Sequence, residues 1–384
     1  MVHRQARSGL LVAAAFAIGA ALAAVLPHQT GAWLPLHLFL VGTVLSSISA
    51  VAPMLAVAWS AAPPPSDAIV RLQRVLLLLG TLGVAFGREF DRGVLLIALS
   101  GTAVACSLGL LAVLLARIRR HAVVARFNPA IDGYLLAVAF GLVGSGLGVA
   151  LGGGASGGGI RAAHLTANLL GLVGLVIAAT LPYMTATQIR SKMARRATPA
   201  ALRATTAAMA SAVAVAVVSL TLGQTLLATT GYLLYAAGIL ATVALCPIPR
   251  MRQLRWAGPR LVLLGTGVLW WAGGVVAIAT STVSGPGAST RLVSALVIGG
   301  YGQILAGSVA YLAPVLRGGG HARLGQGFQI TRSPVVVLAA NVAAFGALFG
   351  SPLTVAAGIG VWLADSALRA TRLMTSSRNA RQQQ

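Results

Sequence analysis

The sequence predicts an all-α, polytopic integral membrane protein with about twelve transmembrane helices, and three observations predict it. The first is composition. Of 384 residues, 57% are apolar and only 9% are charged, with a mean hydropathy of +0.88; a soluble domain carries about 25% charged residues. The second is spacing. Apolar runs of about twenty residues recur along the whole length, each long enough to cross a hydrocarbon core of ~30 Å. No intervening stretch is long or polar enough to form a separate soluble domain. The third is the alternation of basic and base-poor loops between those runs.

Taken in order, the spans are expected at 8–26, 33–58, 73–88, 93–116, 131–152, 162–184, 205–223, 226–246, 260–281, 292–315, 333–350 and 352–371. The third and eleventh are the shortest. The first follows Arg4 and Arg7 and resembles a signal peptide in isolation, but eleven further apolar runs follow it, so it is read as an uncleaved span. Counting bases gives the sides: 24 of the 28 Lys and Arg residues fall in one set of loops and at both ends, and Arg88, Arg92, Arg161 and Arg291 fall in the other. This places both termini in the cytoplasm of a cell whose plasma membrane the chain crosses many times. Residues 1–374 form one transmembrane domain, and the tail 375–384, which ends in three glutamines, is expected to be disordered and cytoplasmic.

The net charge of +23 on a soluble chain would suggest a nucleic-acid surface. Here the bases sit in short loops between apolar runs, which is the pattern of positive-inside topology. The expected partner is the lipid bilayer, with unspecific contact to anionic lipid, and not nucleic acid. Cys106 and Cys246 are far apart and form no metal or redox motif, so they read as small packing residues. The linker LGGGASGGG from Leu151 lacks the Lys-Ser/Thr and the preceding strand of a phosphate loop. No Ser-His-Asp set, HExxH or paired carboxylates occur, and the five acidic residues are too few for a typical cation pathway.

Three segments resemble one another: HLFLVGTVLSSISAVAPML from His37, HLTANLLGLVGLVIAATLPYM from His164 and LVIGGYGQILAGSVAYLAPVL from Leu296. Each ends near a proline, Pro53, Pro182 or Pro314, expected to kink or end its helix. They are the second, sixth and tenth spans, so the chain divides into units of four helices at 1–126, 127–250 and 251–374. Small residues along these spans favour close helix approach.

Ionisable residues inside a membrane are costly and so are functional candidates. His37 and His164 lie within a turn or two of the extracytoplasmic ends of their spans, at corresponding places in the repeat. Two neutral imidazoles on such helices suit haem iron or copper, or a proton relay. The competing reading is that each hydrogen-bonds a neighbouring helix. Asn168, one turn after His164, is placed to orient its ring, and His28 in the first extracytoplasmic loop is a further candidate metal ligand, with loop solvation as its alternative. Asp365 is expected to pair with Arg369 at i+4, and Glu89 and Asp91 to balance Arg88 and Arg92. Asp132 reads as interfacial, and Gln303 and Asn341 as interhelical hydrogen-bonding groups. Tyr183, Tyr301 and Tyr311 read as packing residues, and Trp33, Trp59 and Trp256 as an aromatic belt.

WLPLHLFLVGTVLSSI from Trp33, RAAHLTANLLGLVGLVIAATLPYM from Arg161 and RSKMA from Arg190 resemble the membrane region of actinobacterial multicopper-oxidase and nitrite-reductase-like proteins. That region is similar in outline to the NnrS-type membrane proteins and to the twelve-helix, three-arc subunit of the haem-copper oxidases. The resemblance implies a haem- or copper-associated module using His37 and His164 for redox or metal handling, with an extracytoplasmic copper protein or another membrane subunit as partner. The third segment has no histidine at the matching turn. A secondary transporter and a cofactor-free scaffold stand as the alternatives, and whether the protein is an enzyme is left open.

Overall fold

The computed structural model describes residues 1–285, 288–318 and 320–379. Among the described residues there is no strand, and twelve helices are long and apolar enough to cross a membrane. They match the twelve expected runs one for one: Val2–Val25, Trp33–Ser60, Asp67–Glu89, Val94–Arg120, Ala125–Gly152, Gly158–Gln188, Pro199–Thr221, Thr225–Ala244, Pro259–Val283, Thr290–Arg317, Arg323–Phe349 and Pro352–Thr375. The third is not short: it begins at Asp67, before the apolar run proper. The eleventh is interrupted, with a helix Gly320–Ile330, a break, and then Pro334–Phe349. The final helix continues to Asn379; the rest of the tail expected to be disordered, 380–384, lies outside the described residues.

The chain forms two compact units. One comprises Met1–Tyr183, Met193–Pro247 and Val275–Ala288; the other comprises Met184–Lys192, Ile248–Gly274 and Ser289–Gln384. In both, large apolar side chains point outward, such as Leu95, Leu226 and Leu240 in the first and Leu269, Leu338 and Leu353 in the second. A soluble protein rarely exposes so much contiguous apolar surface, whereas a chain embedded in a bilayer lays that surface against lipid.

The second, sixth and tenth spans are the three most enclosed of the twelve, with 72%, 89% and 61% of their most apolar stretch buried. Each carries a wide π-helical run, at Leu38–Leu45, Ala167–Gly174 and Leu296–Gly302. The runs start 129 residues apart, at 38, 167 and 296. Each is entered the same way, through an N–H shared between two carbonyls: Leu38 donates to Leu34 and Pro35, Ala167 to Ala163 and His164, and Leu296 to Leu292 and Val293. π-Helix accounts for well under 1% of residues in ordinary proteins, so three such runs at one spacing are a structural repeat.

The same runs hold the glycines against which an aromatic ring from the preceding span is seated. A methyl group at Gly42 would lie 2.5 Å from the Phe16 ring, one at Gly171 2.5 Å from Phe140 Cβ, and one at Gly299 2.6 Å from the Trp270 ring. Pro53, Pro182 and Pro314 do not end their helices, which run on to Ser60, Gln188 and Arg317. An interrupted helix would expose backbone groups where no water can bind them, so only the proline's own bond is lost.

Polar ties secure the helices within each unit. In the first, Gln73 Nε2 donates to Ser49 Oγ (3.0 Å) and Ser107 Oγ (2.8 Å), joining three spans. Asp132 accepts from Arg119 (2.7 Å) and Arg203 (2.9 Å). Glu89 does not pair with its neighbouring arginines; it accepts from the Gln29 backbone N–H (2.5 Å) and the Thr30 hydroxyl (2.6 Å), pinning the first loop. In the second unit, the Trp270 indole donates to Asn341 (2.9 Å), and Gln303 Oε1 accepts from Thr266 (2.5 Å) and Asn341 (3.3 Å). The Arg369–Asp365 pair is present at 2.6 Å.

The ring-on-glycine contact predicts a large effect of added bulk. Gly171→Leu should displace Phe140 and lower stability by about 1–3 kcal/mol, read as a lower melting temperature in detergent. Gly19→Leu, where a Cβ meets nothing within 4 Å, should leave it within error.

Candidate functional site

His37 and His164, 127 positions apart in sequence, meet in the first unit. Their rings are nearly parallel, 11° between planes, with centroids 6.5 Å apart. That separation is far inside the roughly 15 Å beyond which two imidazoles could not share one ion with metal–nitrogen bonds of ~2 Å. Both residues are half-buried.

Each ring is held by a backbone carbonyl through Nδ1. His37 sits in the first α-helical segment of its span, Trp33–His37, and its Nδ1 lies 2.9 Å from the Trp33 carbonyl oxygen one turn earlier. The same i, i+4 spacing stacks the Trp33 indole on the His37 ring, with centroids 3.9 Å apart and planes 24° apart. His164 follows the glycine-rich linker, and its Nδ1 lies 2.8 Å from the Gly144 carbonyl of the fifth span. Two glycines one turn apart make room for it: a methyl at Gly148 would lie 2.8 Å from His164 Cε1, and one at Gly144 would collide with the Asn168 amide.

A carbonyl oxygen can only accept, so both Nδ1 atoms carry the proton in neutral rings, and the lone pair of each ring lies on Nε2. No hydrogen bond to either Nε2 is present among the described residues. This is the orientation in which a histidine ligates a metal: one ring nitrogen donates to the protein, and the other is left to the ion.

The neighbouring candidates fall out differently. Asn168 touches the His164 ring only weakly, at 3.4 Å from Nδ1; its amide donates chiefly to the His164 carbonyl, at 2.9 Å. That carbonyl, at the entry to the π run, also accepts from the Ala167 N–H. The Gly144 carbonyl is the nearer partner of the ring and the Asn168 amide the farther one. His28 donates through Nε2 to the Ala23 carbonyl at 2.7 Å, and its Nδ1 is buried without a partner. Among the described residues no cluster of three His, Cys, Asp or Glu side chains could hold a metal, so the pair stands without a third ligand of those types.

The register of the π runs also corrects the correspondence between the two histidines. With 129 residues between runs, the position matching His37 is Thr166, not His164. Thr166 is buried and bonds the Ala162 carbonyl (2.8 Å) and the Tyr232 hydroxyl (2.6 Å). In the third copy the corresponding positions are the buried Val293 and Ala295. Trp33 is the residue that sequence reasoning missed. It reads as a belt aromatic at the membrane surface, and only its i, i+4 spacing to His37 signals the stacking. Tyr183 packs with Trp59 (5.1 Å) and Phe127 (5.5 Å) at the other end of the second span, as a packing residue should.

Comparison of the chain with protein-family models, curated proteins and solved structures finds no match. The class that the fold defines is a many-helix membrane-spanning protein, and in its first unit two imidazoles lie side by side.

The tautomers are directly testable. In the protein labelled with nitrogen-15 histidine at a pH where the rings are neutral, His37 and His164 should both show a protonated Nδ1 and an unprotonated Nε2. Assignment of the proton to Nε2 in either ring would contradict the carbonyl contacts.

Proposed function

We propose that this chain is a plasma-membrane protein that holds a haem iron or a copper ion between His37 and His164, near the extracytoplasmic face, in a redox or metal-handling role. The observation that supports the reading most strongly is the meeting of two half-buried imidazoles, each with Nδ1 locked to a backbone carbonyl and Nε2 left without a protein partner. Imidazole suits both iron and copper. The side of the membrane rests on the 24-to-4 distribution of bases, which puts the two ends of the chain in the cytoplasm. The likeness of the Trp33 and Arg161 segments to the membrane regions of multicopper-oxidase and nitrite-reductase-like proteins points the same way, as does the likeness to NnrS-type proteins. It makes an extracytoplasmic copper protein the natural partner.

The chain's own residues have defined tasks in this reading. The Trp33 and Gly144 carbonyls fix the tautomers, and a hydrogen bond to Nδ1–H raises the basicity of the ligating nitrogen. The Trp33 ring covers one face of His37 and restricts water there. Gly144 and Gly148 keep the fifth span close enough to hold His164. A bound haem or copper would supply one-electron chemistry that no side chain here provides.

The test is an absorption spectrum and metal analysis of protein purified gently from its native membrane, with His37→Ala and His164→Ala in parallel. The expected result is a Soret band or stoichiometric copper in the native chain, lost in both variants. Cofactor-free protein, or a cofactor retained in both variants, would sink the assignment and favour the scaffold reading. A subtler expectation concerns the space that Gly148 leaves for His164: Gly148→Val should lower cofactor affinity by about 10- to 100-fold, the usual effect of disturbing what orients a ligand.

A further inference from the structure

The second unit contains a concentration of buried hydrogen-bond donors that no carboxylate receives among the described residues. A short helix, Met251–Ala257, ends at Gly258, whose φ of +56° turns the chain into the ninth span at Pro259. Arg260, in the first turn of that span, is only 1% exposed. Its guanidinium sits among aromatic rings, 4.6 Å from the centroid of Phe328, 5.8 Å from Tyr311 and 5.9 Å from Trp256. Two more guanidiniums approach the same Trp256 ring: Arg190 at 3.5 Å and Arg332 at 5.9 Å.

Part of this arrangement caps the short helix. Arg260 donates through Nε to the Ala257 carbonyl (3.3 Å) and through Nη2 to that of Trp256 (3.5 Å), while Arg332 Nη2 donates to the carbonyls of Arg255 and Trp256. Cations at a helix C-terminus are stabilising, so these contacts explain why the arginines are near. They do not use all the donors. Arg260 Nη1, Arg332 Nε and Trp256 Nε1 are all buried without a partner. No carboxylate pairs with Arg190, Arg260 or Arg332 among the described residues, and Asp365, the acid of this unit, is held by Arg369. A buried cation with neither counter-ion nor full hydrogen bonding is strongly unfavourable. Aromatic faces offset that only in part.

We propose that Arg190, Arg260, Arg332 and the Trp256 indole form a binding site for a phosphate group. A phosphate presents several acceptor oxygens in a tetrahedral array and carries enough charge to balance more than one guanidinium. Arginine's planar fork matches it in paired hydrogen bonds. Gly258 belongs to the design, because a Cβ there would lie 3.2 Å from Arg332 Nε, one of the unpartnered donors. The phosphate can arrive on a lipid headgroup or in solution. The site is independent of the histidine pair and stands or falls separately.

The whole chain, purified in a phosphate-free maltoside detergent, tests both sources. One arm adds phosphatidic acid or phosphatidylglycerol to the micelles. The other adds inorganic phosphate or pyrophosphate, with ionic strength matched by chloride. The readouts are the thermal midpoint and, for lipid, retention in native mass spectrometry. The wild type should be stabilised by a phosphate-bearing probe beyond the chloride control, with binding about 10- to 100-fold weaker in Arg260→Gln and in Arg190→Gln. Stabilisation by phospholipid alone identifies a headgroup, and stabilisation by inorganic phosphate as well identifies a soluble ligand. Arg190 is exposed, so its variant decides the matter if Arg260→Gln fails to fold. No stabilisation of the wild type by any probe, or equal stabilisation of wild type and Arg190→Gln, would overturn the proposal.

Discussion

In hydrocarbon, every backbone N–H and C=O must find its partner within the protein. This constraint explains the persistence of helix through Pro53, Pro182 and Pro314, and it makes the three π runs notable. A π turn bonds each N–H one residue further back than an α turn, so entering one disturbs the ladder. The disturbance is absorbed each time by an N–H shared between two carbonyls. What is gained is a glycine surface on an enclosed helix against which the aromatic ring of the preceding span can lie.

The histidine pair draws on the same resource. Both rings bond main-chain carbonyls through Nδ1, one from the histidine's own helix and one from a neighbour. No carboxylate takes part in these contacts. In a chain with five acidic residues, main-chain oxygen is the acceptor in good supply, and it carries no charge into the membrane. Four of the five acids tie helices and loops: Asp67 to Arg4, Asp132 to two arginines, Asp365 to Arg369, and Glu89 to the first loop. The arginine group around Trp256 is the complementary case, with donors in excess and no acid assigned to them.

Much of the architecture was legible because its signals are long. A twenty-residue apolar run and an alternating base count each average over many residues, so all twelve spans were found. The related segments and their prolines were also visible. The π runs were not, since Leu, Val and Gly sequences give no sign of a wider turn. Without that turn, His37 and His164 looked like corresponding positions when they differ by two. His37 and His164 were recognisable as candidates because ionisable groups are rare in spans, but their tautomers depend on carbonyls that no side-chain pattern reveals. Trp33 and Arg260 make contacts of which the sequence gives little sign, for one reason. Each belongs to a type whose commonest role in such a chain, belt aromatic or topology charge, is satisfied without any particular neighbour.

The wide turns also give the three most enclosed helices a tolerance that ordinary helices lack. An α-helix rotates its faces by about 100° per residue, whereas a π turn fits an extra residue into its turn. Loss of one residue between 38 and 45 is therefore absorbed by tightening the run toward α geometry, with Trp33, His37 and Pro53 kept near their present angles. What such a loss changes is local: the Gly42 surface on which the Phe16 ring is seated. The same deletion in an ordinary helix swings everything beyond it by about 100°.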